Sequence, residues 1–233
     1  MCYLSLPQEL IEGTFIERKN RFMALVDLAG REVAAHVPST GRMRELLVPG
    51  AIVYLKPFSG VTRRTKFTLL LVKHNGILVS IDSLLPNRLF HHIIKKGALP
   101  EFNEFTLLRR EFPYRDGRID FGLGSDDHYQ CLVEVKSVTL VEKGEARFPD
   151  APSKRGTRHL KELSLARNEG FRAAVIFIVQ REDGVYFQPN DICDPAFGQA
   201  LRTAKNNGVE VYALSCKVNT QEIKLKGHIP VKL

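Results

Sequence analysis

The chain has 233 residues, of which 44% are hydrophobic and 26% are charged, a composition typical of a folded globular protein and not of a disordered chain. No apolar run approaches the roughly 20 residues that cross a bilayer, and residues 1–7 lack the basic and apolar regions of a secretory signal peptide. We therefore expect a cytoplasmic protein without a membrane partner. The formal net charge of +8 favours a polyanionic partner such as nucleic acid.

The first 80 residues predict β-structure. Short apolar runs separated by turn dipeptides predict five strands, at residues 22–28, 32–37, 51–55, 66–73 and 76–81. The Asn75-Gly76 pair is a strong hairpin signal. Five closely spaced strands are typical of a small OB-like barrel, although an SH3-like barrel or a plain meander fits the same pattern.

After residue 81 the pattern becomes mixed. It predicts helices at 84–96, 155–169 and 195–207, and strands at 106–112, 118–123, 129–138, 173–179 and 209–214. This order indicates a mixed central sheet covered by helices. The expected fold class is therefore mixed α/β, with an OB-like, nucleic-acid-binding barrel at residues 1–82 and an α/β domain at residues 83–233.

Three charged residues interrupt the apolar strands of the second part. Side chains alternate along residues 131–137, so Glu134 and Lys136 share one face. A carboxylate and an ammonium buried side by side are costly unless something organises them. Asp120 lies between two apolar neighbours in the preceding strand, and a hairpin turn at 122–127 would bring it beside Glu134. An E-x-K triplet also occurs by chance on many solvated faces, which is the alternative interpretation.

This trio suits a divalent cation. Asp120 and Glu134 would supply carboxylate ligands for Mg²⁺ or Mn²⁺, and the Val135 carbonyl a third oxygen. Lys136 would orient or deprotonate the attacking water and offset charge in the transition state. Glu111, on the preceding strand, is a candidate further acid for the same ion or for a second one.

Basic residues in both parts are candidate contacts for nucleic-acid phosphates. On the helix at 155–169 they are Arg155, Arg158 and His159, and His159 is also a candidate to protonate the leaving oxygen; a solvated helix face is the alternative. In the barrel half the candidates are Arg18, Lys19, Arg21, Arg42, Arg44, Arg63, Arg64 and Lys66.

Two segments, Arg118–Phe121 and Glu134–Leu140, resemble the signature of the PD-(D/E)xK nuclease superfamily. More narrowly, the chain is similar to the sugar fermentation stimulation protein (SfsA) family nearly end to end, in residues 36–43, 148–151, 155–160, 174–177 and 229–233. Ser39 is a departure, since the family pattern has Asn there. The resemblance implies an OB-like N-terminal domain, a restriction-endonuclease-like C-terminal domain, sequence-independent DNA binding and a link to sugar (maltose) metabolism.

Three functions remain open at this point. The first is a Mg²⁺-dependent deoxyribonuclease built on the trio. The second is a non-catalytic, sequence-independent DNA-binding regulator that keeps the nuclease fold. The third, a carbohydrate-related enzyme, is suggested by the family name alone. DNA binding is common to the first two, and the intact acids favour the first.

Overall fold

The strands of residues 11–80 form a barrel. In the computed structural model, which describes residues 2–60 and 65–233, β1 (Tyr3–Ser5) precedes them, and the strands of this sheet are β2 (Ile11–Asn20), β3 (Met23–Leu28), β4 (Arg31–His36), β5 (Ile52–Pro57), β6 (Phe67–His74) and β7 (Ile77–Ser80). The sheet order is β4-β3-β2-β5-β6-β7, and a further pairing of β4 with β6 closes five strands into an OB-type barrel. The predicted barrel is confirmed, and the meander is excluded.

Two hairpin turns explain part of this barrel. Asn75 and Gly76 have φ of 48° and 82°, and Ala29 and Gly30 have φ of 52° and 87°. Positive φ at both central residues is the backbone of a type I′ turn, whose twist matches that of the flanking strands. Strand β2 was not predicted because only Phe15 of its ten residues is fully buried, and its many charged side chains give no apolar alternation.

The second part is a mixed sheet between helices. Its elements are α1 (Leu85–Lys95), a 3₁₀ turn (Pro100–Phe102), β8 (Leu107–Tyr114), β9 (Gly117–Ser125), β10 (His128–Val138), β11 (Leu140–Glu142), β12 (Glu145–Phe148), α2 (Lys154–Asn168), β13 (Arg172–Val179), β14 (Tyr186–Pro189), α3 (Pro195–Asn206), β15 (Glu210–Val218) and β16 (Glu222–His228). The main sheet has the order β1-β16-β15-β13-β10-β9-β8, and β11, β12 and β14 form a small second sheet. Within the main sheet, β10, β13 and β15 run parallel and the remaining neighbours pair antiparallel, so the predicted mixed sheet is confirmed.

The two faces of β10 meet different helices. Val133 packs in one apolar cluster with Phe90 of α1. Leu132 packs in a second cluster with Leu160 of α2 and Leu201 of α3. The predicted alternation along this strand is therefore present, and its even-numbered residues face α2. None of the helices in the described ranges is long and apolar enough to cross a membrane.

The first residues of the chain lie in the main sheet and not in the barrel. Strand β1 pairs antiparallel with β16, with Tyr3 opposite Lys224. Cys2 and Leu6 pack in the same cluster as α1, together with Leu70 and Leu71 of β6. The expected boundary near residue 82 stays a prediction, but the two parts share apolar core across it.

Candidate active site

Asp120 and Glu134 meet where the β9–β10 hairpin opens. The ladder between these strands ends at Phe121 opposite Val133. Just beyond it, the Asp120 amide donates to Glu134 Oε2 (3.3 Å), and the Val135 amide donates to Asp120 Oδ2 (2.9 Å). Each carboxylate is therefore held by the backbone of the opposite strand, and the structure brings these two residues together.

Lys136 and His159 converge on the other oxygen of Glu134. Lys136 Nζ donates to Glu134 Oε1 at 2.6 Å, and His159 Nδ1 contacts the same oxygen. Glu134 is 2% exposed and His159 only 1%. Burial on its own would raise the pKa of Glu134, but the neighbouring Lys136 and His159 outweigh it and lower that pKa to about 2. Glu134 is therefore ionised at neutral pH.

His159 occupies a different place from the phosphate contact that the sequence suggested. Arg155 Nε donates to His159 Nε2 at 3.4 Å. An arginine N–H can only donate, so Nε2 accepts and Nδ1 carries the proton that points at Glu134. Because the ring is buried, we reassign His159 from the surface contacts to the support of Glu134.

The pKa of Asp120 is shifted in the opposite direction from that of Glu134. Burial, and next the charge of Glu134, raise the pKa of Asp120 to about 6. The Val135 amide, Lys136 and a hydrogen bond from the Asn87 side chain oppose this shift. Asn87 lies in the first turn of α1 and was not among the predicted site residues, because nothing in the pattern distinguishes it from the other polar residues of that helix, which are Arg88, His91, His92 and Lys95.

Glu111 lies apart from this cluster. It has φ of 50° within the edge strand β8, and its side chain is exposed. In the described ranges no hydrogen bond or ion pair joins it to Asp120 or Glu134, and no group of three or more His, Cys, Asp and Glu side chains is arranged to hold a metal ion. We therefore remove Glu111 from the candidate ligands, and an ion here would depend on two carboxylates.

Arg18, a predicted phosphate contact, instead organises a loop of the barrel. Its Nη1 donates to the carbonyls of Gly41 (2.6 Å) and Arg42 (3.0 Å), and its Nη2 to those of Arg21 (2.7 Å) and Ser39 (2.9 Å). A guanidinium with four backbone acceptors has little capacity left for a ligand. We reassign it as a structural residue of the loop at 39–42.

The other basic residues of the barrel are at the surface. Arg21, Arg42 and Arg44 line a common groove with Pro152 of the second part. Lys66 is exposed. Lys19 forms an ion pair with Glu17. Arg63 and Arg64 lie outside the described residues.

Two arginines of α2 are exposed beside the buried cluster. Arg155 reaches His159, as described above, and Arg158 forms an ion pair with Glu162 at 3.3 Å. The Arg158 side chain is 60% exposed, so this pair is worth little in stability. Both guanidiniums are placed at the rim above the buried glutamate.

Comparison with known proteins agrees with this architecture. Residues 84–222 match the family model of the sugar fermentation stimulation protein RE domain, and residues 16–81 match that of the SfsA N-terminal OB domain. A sugar fermentation stimulation protein homolog of Desulforamulus reducens is 50% identical over 225 residues, which cover 97% of this chain and 93% of the relative. A homolog of Moorella thermoacetica is 44% identical over 231 residues, covering 99% and 100%.

A solved structure is similar over the whole length. The structure of Pyrococcus furiosus SfsA in complex with Ca²⁺ matches with a TM-score of 0.91 and 33% identity, covering 100% of both chains. The fold thus defines a two-part protein with an OB barrel followed by a mixed-sheet α/β domain. The chain belongs to the sugar fermentation stimulation protein family, which confirms the resemblance seen in its motifs.

Proposed function

We propose that this protein binds nucleic acid and hydrolyses phosphodiester bonds with the help of a divalent cation, Mg²⁺ or Mn²⁺. The observation that carries the proposal is the pairing of Asp120 with Glu134 on adjacent strands, with Lys136 on the same face. Magnesium keeps several waters and is commonly bound through one or two carboxylates plus substrate phosphate. The related Pyrococcus furiosus protein was solved in complex with Ca²⁺, another oxygen-binding cation, and this supports a cation site here.

The residues present fit such an ion. Burial first, and then repulsion from Glu134, raise the pKa of Asp120, and a cation between the two carboxylates would remove that repulsion. The Val135 carbonyl remains the proposed third oxygen. When bound, the cation supplies Lewis-acid polarisation of the phosphate and lowers the pKa of a water.

The remaining residues have distinct proposed tasks. Lys136 places its ammonium at the edge of the carboxylate pair, where it can hold the attacking water and offset developing negative charge. His159, on α2, would hold the Glu134 carboxylate in position through its Nδ1 contact with Oε1. Arg155 and Arg158 at the rim are the proposed phosphate contacts of the second part.

Binding itself would rest on phosphate contacts. The groove lined by Arg21, Arg42 and Arg44 carries positive charge that phosphates would meet. Such contacts give an affinity that falls with salt and varies little with sequence. DNA is the proposed partner, in agreement with the net charge of +8.

A second function is favoured by one observation. Glu134 is 2% exposed, and Lys136 and His159 already surround one of its oxygens. A carboxylate whose charge is balanced within the protein has less need of a cation. This favours a sequence-independent DNA-binding regulator of sugar metabolism that keeps the nuclease fold without cutting.

One experiment separates the two functions. Labelled single-stranded, duplex and branched DNA, and RNA, are incubated with the protein in Mg²⁺, in Mn²⁺ and in chelator. If the protein is a nuclease, cleavage products should form only with the cation. Lys136→Ala should abolish these products, and Lys226→Ala, at an exposed lysine of β16, should leave them unchanged. Binding without any product supports the regulator. If no nucleic acid binds at low salt, both proposals fail.

A further inference from the structure

A cleft of about 240 Å³ separates the barrel from the second part beside the end of β10. The barrel contributes the loop at 39–41, and the second part contributes residues 148–153 together with Ser137. Ser137 follows Lys136 near the end of β10 but points to the opposite face of the strand, while Ser153 caps α2, the helix that carries His159. The cleft therefore lies at the same end of β10 as the proposed active site. Through Thr40 it continues into the groove lined by the barrel arginines.

Three serine hydroxyls in this cleft have the same hydrogen-bonding state. Ser39, Ser137 and Ser153 each accept a hydrogen bond from a protein N–H, at 3.3, 2.8 and 3.0 Å. The donors are the Gly41 amide, the Gln180 side chain and the Gly156 amide, respectively. A hydroxyl that accepts in this way keeps its own hydrogen to donate. Within the described ranges no protein acceptor takes these three hydrogens, so they are available to a ligand.

The charges of the cleft select the same kind of ligand. Arg21 is exposed and lines the cleft. Asp150 also lines it, but Asp150 Oδ2 accepts from the Met43 amide at 3.1 Å, and its charge faces the Arg18 guanidinium. The cleft thus offers hydroxyl donors and one uncommitted cation to whatever enters. A ligand group that is negatively charged and has only acceptor atoms would pair with both the hydroxyl donors and the cation.

We propose that the cleft binds one phosphate group of a nucleic-acid strand, next to the phosphate that Asp120, Glu134 and Lys136 would cleave. This inference rests on the proposed function and extends it. Phosphate oxygens accept hydrogen bonds and bind arginine strongly. The volume equals that of about eight water molecules at roughly 30 Å³ each, which suits a phosphate group with part of its chain but not a base pair. Ser39, Ser137 and Ser153 therefore act as the binding donors, and Arg21 as the counter-charge.

The test uses a pair of variants that differ only in charge. Thr40 is exposed at the mouth of the cleft, so Thr40→Glu and Thr40→Gln should both fold, which melting curves verify. Affinity for a short fluorescent single-stranded oligonucleotide is measured in chelator, where no cation site contributes. Thr40→Glu should bind about tenfold more weakly than Thr40→Gln, because a like charge then faces the phosphate at short range. Arg21→Gln should lower the salt slope by about 0.7, and Arg31→Gln, outside the cleft, should not.

Competition separates a strand phosphate from a free one. Inorganic phosphate and a nucleoside monophosphate should displace the oligonucleotide only weakly. If wild-type protein binds the oligonucleotide but the two Thr40 variants bind it equally, the cleft assignment is overturned and the proposed function stands. If Thr40→Glu weakens binding of the nucleoside monophosphate but not of the oligonucleotide, the cleft is a free-nucleotide site and the strand assignment is wrong. If the wild-type protein binds no oligonucleotide, the proposed function fails, and this inference with it.

Discussion

The Val135 amide donates a hydrogen bond to Asp120 Oδ2 at 2.9 Å across the open end of the β9–β10 hairpin. This bond fixes an acid whose pKa is raised by burial and by Glu134. Asp120 is thus held where its charge is unfavourable without a cation. Acids whose pKa is raised by burial together with a charged neighbour are concentrated at functional sites.

The first prediction concerns the pH dependence of stability. The pKa of Asp120 rises from 3.8 to about 6 on folding, so ionisation of Asp120 destabilises the folded protein. This destabilisation is absent below the unfolded pKa and is complete once the pH has risen through the folded pKa. In chelator, Asp120→Asn should stabilise the fold by about 1–2 kcal/mol at about pH 8 and by less at about pH 5. Denaturant unfolding at both pH values measures this, with Asp116→Asn, an exposed turn residue, as control. An equal effect at both pH values would contradict the assignment.

The second prediction concerns the partner of Glu134. Lys136→Met removes the ammonium that donates to Glu134, a glutamate that is 2% exposed, so the free energy of unfolding should fall by about 3 kcal/mol. Adding Glu134→Gln should recover part of this loss, since no buried charge then remains unpaired. A double-mutant cycle measures the coupling. Additive effects of the two substitutions would show that the pair is not coupled.

A third prediction separates two arginines of the barrel. Arg18→Gln should destabilise the fold by about 2 kcal/mol because it removes charged hydrogen bonds to the loop at 39–42. Arg42→Gln, at an exposed position, should leave stability unchanged and lower the salt slope of DNA binding by about 0.9. Melting curves and salt titrations on both variants measure this. If Arg18→Gln instead lowered the salt slope and left stability unchanged, Arg18 would be a phosphate contact after all.

The fourth prediction concerns the expected domain boundary. A fragment of residues 83–233 lacks β1, the partner of β16, and also Leu70 and Leu71, which pack in the cluster of α1. It should therefore melt well below the full chain, and a fragment that also restores residues 2–10 by fusion should regain part of the loss. Thermal unfolding followed by circular dichroism tests this. A fragment as stable as the full chain would establish two independent domains.

Local patterns predicted much of this molecule, and the reasons are physical. Asp120 beside Glu134 follows from the alternation of strand side chains and a short hairpin. The contact of His159 with Glu134 depends on how α2 is rotated about its axis on the sheet. Hydrophobic periodicity does not determine that rotation to better than about one residue. Asn87 and strand β1 take their places through long-range packing, and neither has a local signal for its partner.

The same limit explains the reassigned basic residues. Charge and position along the chain made Arg18 equivalent to Arg42, and both were predicted to contact phosphate. Only the folded loop shows that the first is taken up by four carbonyls while the second faces solvent. A count of positive residues predicts the kind of partner but not which side chains meet it.

The proposed cation site is tested most directly by titrating Mn²⁺ into the protein without nucleic acid and measuring binding by calorimetry or electron paramagnetic resonance. Wild-type protein should bind Mn²⁺ at a site that Asp120→Asn abolishes and that Lys136→Ala retains, because Asp120 is a proposed ligand and Lys136 is not. Asp116→Asn, at the exposed β8–β9 turn, should bind like the wild type. No binding by the wild-type protein, or binding that Asp120→Asn leaves unchanged, would contradict the central claim that Asp120 and Glu134 form a cation site.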